Sequence, residues 1–195
     1  MGIRDSVGAK PAGSTLDDHG MSLGVDAAGN VYVAGAVSTA ASFDAIQVPK
    51  SSFVTKLDST GKFLWVATGT GSTLPTFRDI DLDSAGNTYL TGTFTTVTKM
   101  GATTLPKPAS YDMFMAKLDT NGKFTWIKTV GGAKQEFARA VAVDGSGNSY
   151  MLGDFIGTLT FGSINATASG KYSKDMFVAK LDSTGKFLWV ATAAN

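Results

Sequence analysis

Apolar positions in this chain come in short runs, cut every few residues by clusters of Gly, Asp, Asn, Ser and Thr. No run keeps the 3.6-residue spacing of an amphipathic helix across these breaks. The runs are rich in Val, Phe, Tyr, Trp and Thr, which suits half-buried strands. Four kinds of run recur in the same order. The first covers 21–26, 79–83 and 139–144, and the second covers 31–35, 88–92 and 149–153. The third covers 53–58, 113–119 and 176–182, and the fourth covers 63–68, 124–130 and 187–192. Between the first and second stand Asp26-Ala27-Ala28-Gly29-Asn30, Asp83-Ser84-Ala85-Gly86-Asn87 and Asp144-Gly145-Ser146-Gly147-Asn148. Between the third and fourth stand Asp58-Ser59-Thr60-Gly61-Lys62 and its counterparts from Asp119 and Asp182.

These turns carry their own physical reason. An Asp carboxylate accepts nearby backbone N–H groups, and Gly supplies the positive φ that a tight reversal needs. Short loops of this kind join antiparallel neighbours. The third run, as in Met176-Phe177-Val178-Ala179, is apolar at consecutive positions, so both of its faces must be covered. A repeat of about 60 residues, each a four-stranded antiparallel sheet with neighbours on both faces, is the signature of a propeller. The pattern therefore predicts an all-β chain, a β-propeller built of three four-stranded antiparallel blades. Residues 1–12 read as an N-terminal extension. Residues 13–79 read as the first blade with its crossover, 80–140 as the second with its crossover, and 141–195 as the third.

Two connections vary. The spacers between second and third strands (36–52, 93–112 and 154–175) and the inter-blade crossovers (69–78 and 131–138) read as loops. An up-and-down blade gathers them on one rim, where repeat proteins commonly bind.

Composition narrows the function classes. The formal net charge is +1 with no basic run, which argues against nucleic acid as a partner. The apolar runs are strand-sized, so no membrane insertion is expected. The chain has no Cys and therefore no disulfides or thiolate metal sites, and no apolar signal segment is read at its N-terminus. A single His, His19, excludes a multi-His metal site, and there is no Gly-x-Ser-x-Gly elbow or phosphate-cradling Gly loop. No catalytic residue, metal ligand or cofactor is assigned.

Three groups were weighed as sites. Asp26, Asp83 and Asp144 read either as turn caps or as calcium ligands, although calcium takes six to eight oxygens and each turn offers one carboxylate. Trp65, Trp126 and Trp189 read either as packing between blades or as platforms for sugar rings. The residues before each first strand gather charges of both signs at the mouth of a central channel. They are Asp17, Asp18 and His19, then Phe77, Arg78 and Asp79, then Gln135, Glu136, Phe137 and Arg139. Such a mouth either grips a polar ligand or pairs its own charges.

The stretch Asp175-Met176-Phe177-Val178-Ala179-Lys180-Leu181-Asp182-Ser183-Thr184-Gly185-Lys186-Phe187-Leu188-Trp189 resembles the bacterial SBBP-type β-propeller repeat family. So do Gly131-Gly132, the run from Ala140 to Tyr150, and the arm Gly157-Thr158-Leu159-Thr160-Phe161-Gly162. The likeness extends from about Gly13 to the end of the chain. It implies a propeller in a secreted or cell-surface protein, with no defining catalytic motif. Three repeats are fewer than the family usually carries to close a ring.

The function expected is that of a non-enzymatic structural, self-assembling or binding module. A carbohydrate-binding lectin and a metal-dependent hydrolase or lactonase are the alternatives. Propellers have roughly four to eight blades, so three invite a partner. The expected partner is the chain itself, as a homodimer closing a six-bladed ring or as a filament, with a glycan or protein ligand besides.

Overall fold

The computed structural model describes residues 12–170 and 173–193. Of the expected N-terminal extension, residues 1–11 lie outside the described residues. The described residues form an all-β chain with several antiparallel sheets and no helix.

One four-stranded meander recurs three times. The first unit is β2 (His19–Val25), β3 (Val31–Val37), β6 (Ser51–Leu57) and β7 (Phe63–Gly71). The second is β8 (Thr76–Leu82), β9 (Thr88–Phe94), β12 (Asp112–Leu118) and β13 (Phe124–Gly132). The third is β14 (Phe137–Val143), β15 (Ser149–Phe155), β18 (Asp175–Leu181) and β19 (Phe187–Ala193). Within each unit consecutive strands pair antiparallel. The first strands lie side by side, β2 against β8 and β8 against β14.

The spacers are not loops, and this corrects the reading of the sequence. They fold as hairpins: β4 (Ala41–Phe43) with β5 (Ile46–Val48), β10 (Thr98–Met100) with β11 (Thr103–Thr104), and β16 (Thr158–Phe161) with β17 (Ile164–Thr167). Each later hairpin pairs with the outer strand of the preceding unit, β10 with β7 and β16 with β13. For β4 that place is taken by β1 (Ala12–Gly13). The result is four sheets of three, six, six and four strands, rather than three separate four-stranded ones. The physical cause is backbone pairing: an outer strand with free N–H and C=O groups accepts the next hairpin as an added strand. The first strands also begin earlier than expected, at Thr76 and not Asp79 in the second unit.

Two bulges recur in every unit. On the first strand the pairing register shifts around Met21, Arg78 and Arg139. On the outer strand it shifts around Leu64, Thr125 and Leu188. A bulge turns the side chains beyond it to the other face. It explains why Phe63 and Trp65, two residues apart, serve different layers: Phe63 packs with Phe43 and Phe53, and Trp65 packs against the layer shared with the second unit. It also explains why Leu64 and Leu188, each 45% exposed, point outward.

The core is therefore stacked between units. One layer joins Tyr32, Ala34 and Val54 of the first unit to Phe77, Ile80, Leu90 and Phe114 of the second. Another joins Tyr89, Met113 and Met115 of the second to Val141, Met151, Phe155 and Phe177 of the third. A smaller cluster backs the first unit beneath the β4–β5 hairpin.

Candidate functional site

The repeated Asp turns come first, because their chemistry is the most regular. Asp26 Oδ1 accepts the Ala28 and Asn30 N–H groups at 3.0 and 2.9 Å, and its Oδ2 accepts the Asn30 amide at 2.8 Å. The Tyr32 hydroxyl donates to the same Oδ2, and the Lys56 ammonium lies 3.8 Å from it. Asp83 and Asp144 repeat the arrangement with Asn87, Tyr89 and Lys117, and with Asn148, Tyr150 and Lys180. Each Lys also sits over its Tyr ring, at 4.9, 4.8 and 5.0 Å from the centroid. The Asn148 amide bond, with the N–H and O–H donors that follow, draws Asp144 down to about 2. Burial pushes Asp83 up, but the Asn87 and Lys117 donors outweigh it and leave it below its ordinary value. Both oxygens of each carboxylate face donors, which favours the turn-cap role over calcium ligation. Among the described residues no three His, Cys, Asp or Glu side chains converge as metal ligands.

The Tyr and Trp side chains connect the units. Tyr32 donates to the Gly86 carbonyl at 3.3 Å, and Tyr89 to the Gly147 carbonyl at 3.1 Å. Trp65 Nε1 donates to the Thr120 carbonyl at 3.0 Å, and Trp126 Nε1 to the Ser183 carbonyl at 3.2 Å. Gly122 and Gly185 lie flat beneath these indoles, where an added Cβ would fall 2.6 and 2.9 Å from the rings. Trp65 and Trp126 thus pack between units, as one of the two sequence readings held. Trp189 differs: it rests on Tyr150 at 6.1 Å between centroids but is 42% exposed.

The ten residues expected at the channel mouth do not form one site. Asp17 is exposed, and its carbonyl accepts the Ser38 hydroxyl. Asp18 caps a turn by accepting the Ser14 and Ser38 N–H groups and the Ser14 hydroxyl. His19 is exposed and borders a mostly apolar cavity of about 290 Å³ lined by Val33, Val37, Phe43, Phe53 and Phe63. Phe77 is core, stacked edge-on against Phe114 at 5.6 Å. Asp79 bridges neighbouring first strands, accepting Ser22 Oγ at 2.7 Å and Val141 N at 3.0 Å. Gln135 pairs with Tyr111 by backbone alone.

The remaining members do converge. Arg78 and Phe137 share a cavity of about 160 Å³ with Thr93, Phe94 and Tyr111. Phe137 stacks on Tyr111 at 5.4 Å and lies under two cations, Lys174 at 4.9 Å and Arg139 at 5.7 Å. Arg139 donates through Nε to Asp154 at 2.7 Å. The bulges at Arg78 and Arg139 aim these side chains to one rim.

Behind this cluster sits Glu136, a candidate of the sequence whose complete burial the sequence did not reveal. Glu136 is fully buried, and neither carboxyl oxygen has a hydrogen-bond partner; Asp112 Oδ1 is likewise buried and unpaired. Burial pushes Glu136 up, the neighbouring Asp112 charge adds to it, and the Gly132 and Lys134 N–H groups, near it but outside hydrogen-bond geometry, offset only part, so Glu136 stands at about 7. Burial alone raises Asp112. Tyr111, Asp112, Asp154 and Lys174 were missed because they sit in the variable spacers; of the four, Asp112 has a counterpart in the repeat at Asp175, but its position gives no sign of burial.

No family model matches the chain. It is 28% identical over 162 residues to an uncharacterised WD repeat-containing protein of Acanthamoeba polyphaga mimivirus. The match takes in 73% of this chain but only 12% of that much longer protein. Among solved structures, a protein of unknown function from Bacteroides caccae aligns at a TM-score of 0.44 and 11% identity, covering 92% of this chain and 69% of that one.

Proposed function

We propose that this chain is a β-propeller-type repeat module of the SBBP kind, acting by assembly and binding rather than by catalysis, in a secreted or cell-surface setting. The observation that carries the reading is the repeated junction between units. The first and second units each send a Tyr hydroxyl and a Trp indole to turns of the next, while the first strands line up side by side. Radial packing of this kind around first strands is how propeller blades meet. The Asp, Tyr and Lys side chains that recur around the first turn of each unit are engaged with one another there, as turn caps and ion pairs.

Three units are half of a six-bladed ring, and the chain completes it as a homodimer. Light scattering of residues 1–195 across micromolar concentrations, with electron-microscope class averages, tests this. A dimer whose averages show a closed ring supports it. A monomer at every concentration overturns the assembly.

A carbohydrate ligand is the second reading, favoured by Tyr111 and Phe137 stacked at the rim beside Arg78, Arg139 and Asp154. Aromatic faces flanked by fixed charges suit sugar rings. A glycan-array signal that Tyr111→Ala abolishes would support it.

A further inference from the structure

Every unit has a forward face and a backward face, and the described residues leave the forward face of the third unit and the backward face of the first uncovered. On the forward face of the third unit Met176 is 47% exposed, although its counterparts Ser52 and Met113 are 1% and 0% exposed. Val178 is half-buried where Val54 and Met115 are fully enclosed, and Trp189 is exposed where Trp65 and Trp126 are half-buried. On the backward face of the first unit Leu23 is 68% exposed, against 6% for Ile80 and 8% for Val141, its counterparts. Val25 is 57% exposed, and farther along the first unit, at His19 and Gly20, opens the apolar cavity lined by Phe43, Phe53 and Phe63. Apolar patches of this kind mark contact surfaces.

We infer that the forward face of the third unit docks on the backward face of the first unit of a second copy, with Trp189 as its anchor. This rests on the assembly reading above and adds the atoms that make the junction. Trp126 already shows the receiving geometry: its indole lies on Gly185 and donates to the Ser183 carbonyl. The receiving segment of the first unit, Lys56 to Thr68, is identical in sequence to Lys180 to Thr192, which contains that turn. Trp189 therefore meets on Gly61 and the Ser59 carbonyl of the second copy the same surface that Trp126 meets within the chain. Gly61 has the required positive φ of 83°, matching 81° at Gly185. Tyr150 takes the Gly29 carbonyl of the second copy, as Tyr89 takes that of Gly147. The anchor is already in place before docking, since Trp189 and Tyr150 hold the same spacing as Trp126 and Tyr89, 6.1 against 6.0 Å.

The junction is weaker than those inside the chain. Asp79 and Asp81 tie the second unit to the Val141 and Val143 N–H groups of the third. The third unit has Ala140 and Ala142 at those places and offers nothing comparable. Dissociation of copies therefore precedes unfolding of the chain. The contact is head-to-tail, so two copies share two identical junctions and closure is a matter of geometry.

Sedimentation velocity of the full chain over a concentration series tests this with Trp189→Ala on the forward face and Leu23→Asp on the backward face. Each variant is checked for unchanged circular dichroism. Both should raise the dissociation constant at least tenfold, the loss expected of a buried aromatic anchor. Mixing the two should restore a heterodimer, because one intact forward face meets one intact backward face. A wild-type chain that stays monomeric defeats the assembly reading itself. A wild-type oligomer unchanged in both variants, or a mixture that stays monomeric, defeats this junction alone.

Discussion

Replacing Glu136 by Gln removes a fully buried carboxylate neither of whose oxygens has a hydrogen-bond partner. In the folded chain Glu136 stands at about 7, against 4.5 for a free glutamate, mainly from burial and then from the Asp112 charge. Between those values the folded state holds a proton that the unfolded state has released. Stability is therefore fully present below about pH 4.5 and declines as pH rises to about 7. A gap of roughly 2.5 units at about 1.4 kcal/mol per unit amounts to some 3 kcal/mol. Gln keeps the shape and cannot ionise, so it escapes that decline. Urea unfolding of both proteins at half-unit steps from pH 4.5 to 8.5, at one protein concentration, measures the difference directly. The stability of Glu136→Gln relative to the parent should climb with pH and level off above about pH 7.5, by on the order of 2–3 kcal/mol. Taking the difference cancels the other titrating groups, which both chains share. Parallel stability curves, with a constant offset, would refute the reasoning. They would mean that Glu136 ionises as easily folded as unfolded.

Trp126→Ala should cost about 2–4 kcal/mol, the lower part of the range for a buried aromatic, because the indole is only half-buried. Trp189→Ala should change the unfolding free energy of the isolated chain by less than about 0.5 kcal/mol, as surface substitutions do; equal losses in chemical denaturation would contradict the inter-unit role of Trp126. Asp83→Ala removes the acceptor for Ala85, Asn87 and Tyr89 and should cost about 1–2 kcal/mol. Its thermal melt should shift equally with calcium and with chelator, and a calcium-dependent difference would restore the metal reading. Asp144 should titrate near pH 2 in carboxyl carbon NMR, so whatever stability it adds is present above its unfolded value and is lost as pH falls toward 2. A midpoint near 4 would show that the Asn148 bond is not formed in solution.

Repetition made most of the scaffold legible. The recurring Asp, Gly and Asn of each turn carry their own local chemistry, so the strands on either side follow from residues next to one another in the chain. The turns at Asp26, Asp83 and Asp144 and the meander order required nothing more. Tertiary structure decided the rest. The spacers looked like loops because their lengths are unequal and Ser, Thr, Gly and Pro interrupt their apolar residues. They fold as hairpins whose first strands pair with distant segments, β10 and β16 with the free backbone edges of β7 and β13 and β4 with β1, events that no local pattern encodes. The bulges at Leu64, Thr125 and Leu188 likewise determine whether Phe and Trp share a face or divide two layers between them. Charge placement followed the same rule. Asp18 and Glu136 hold the same place in the repeat, yet one is capped by Ser14 and Ser38 while the other is sealed in beside Asp112. That difference lies in the packing of the neighbouring unit, because burial and the nearest charge are properties of the assembled fold and not of the residue.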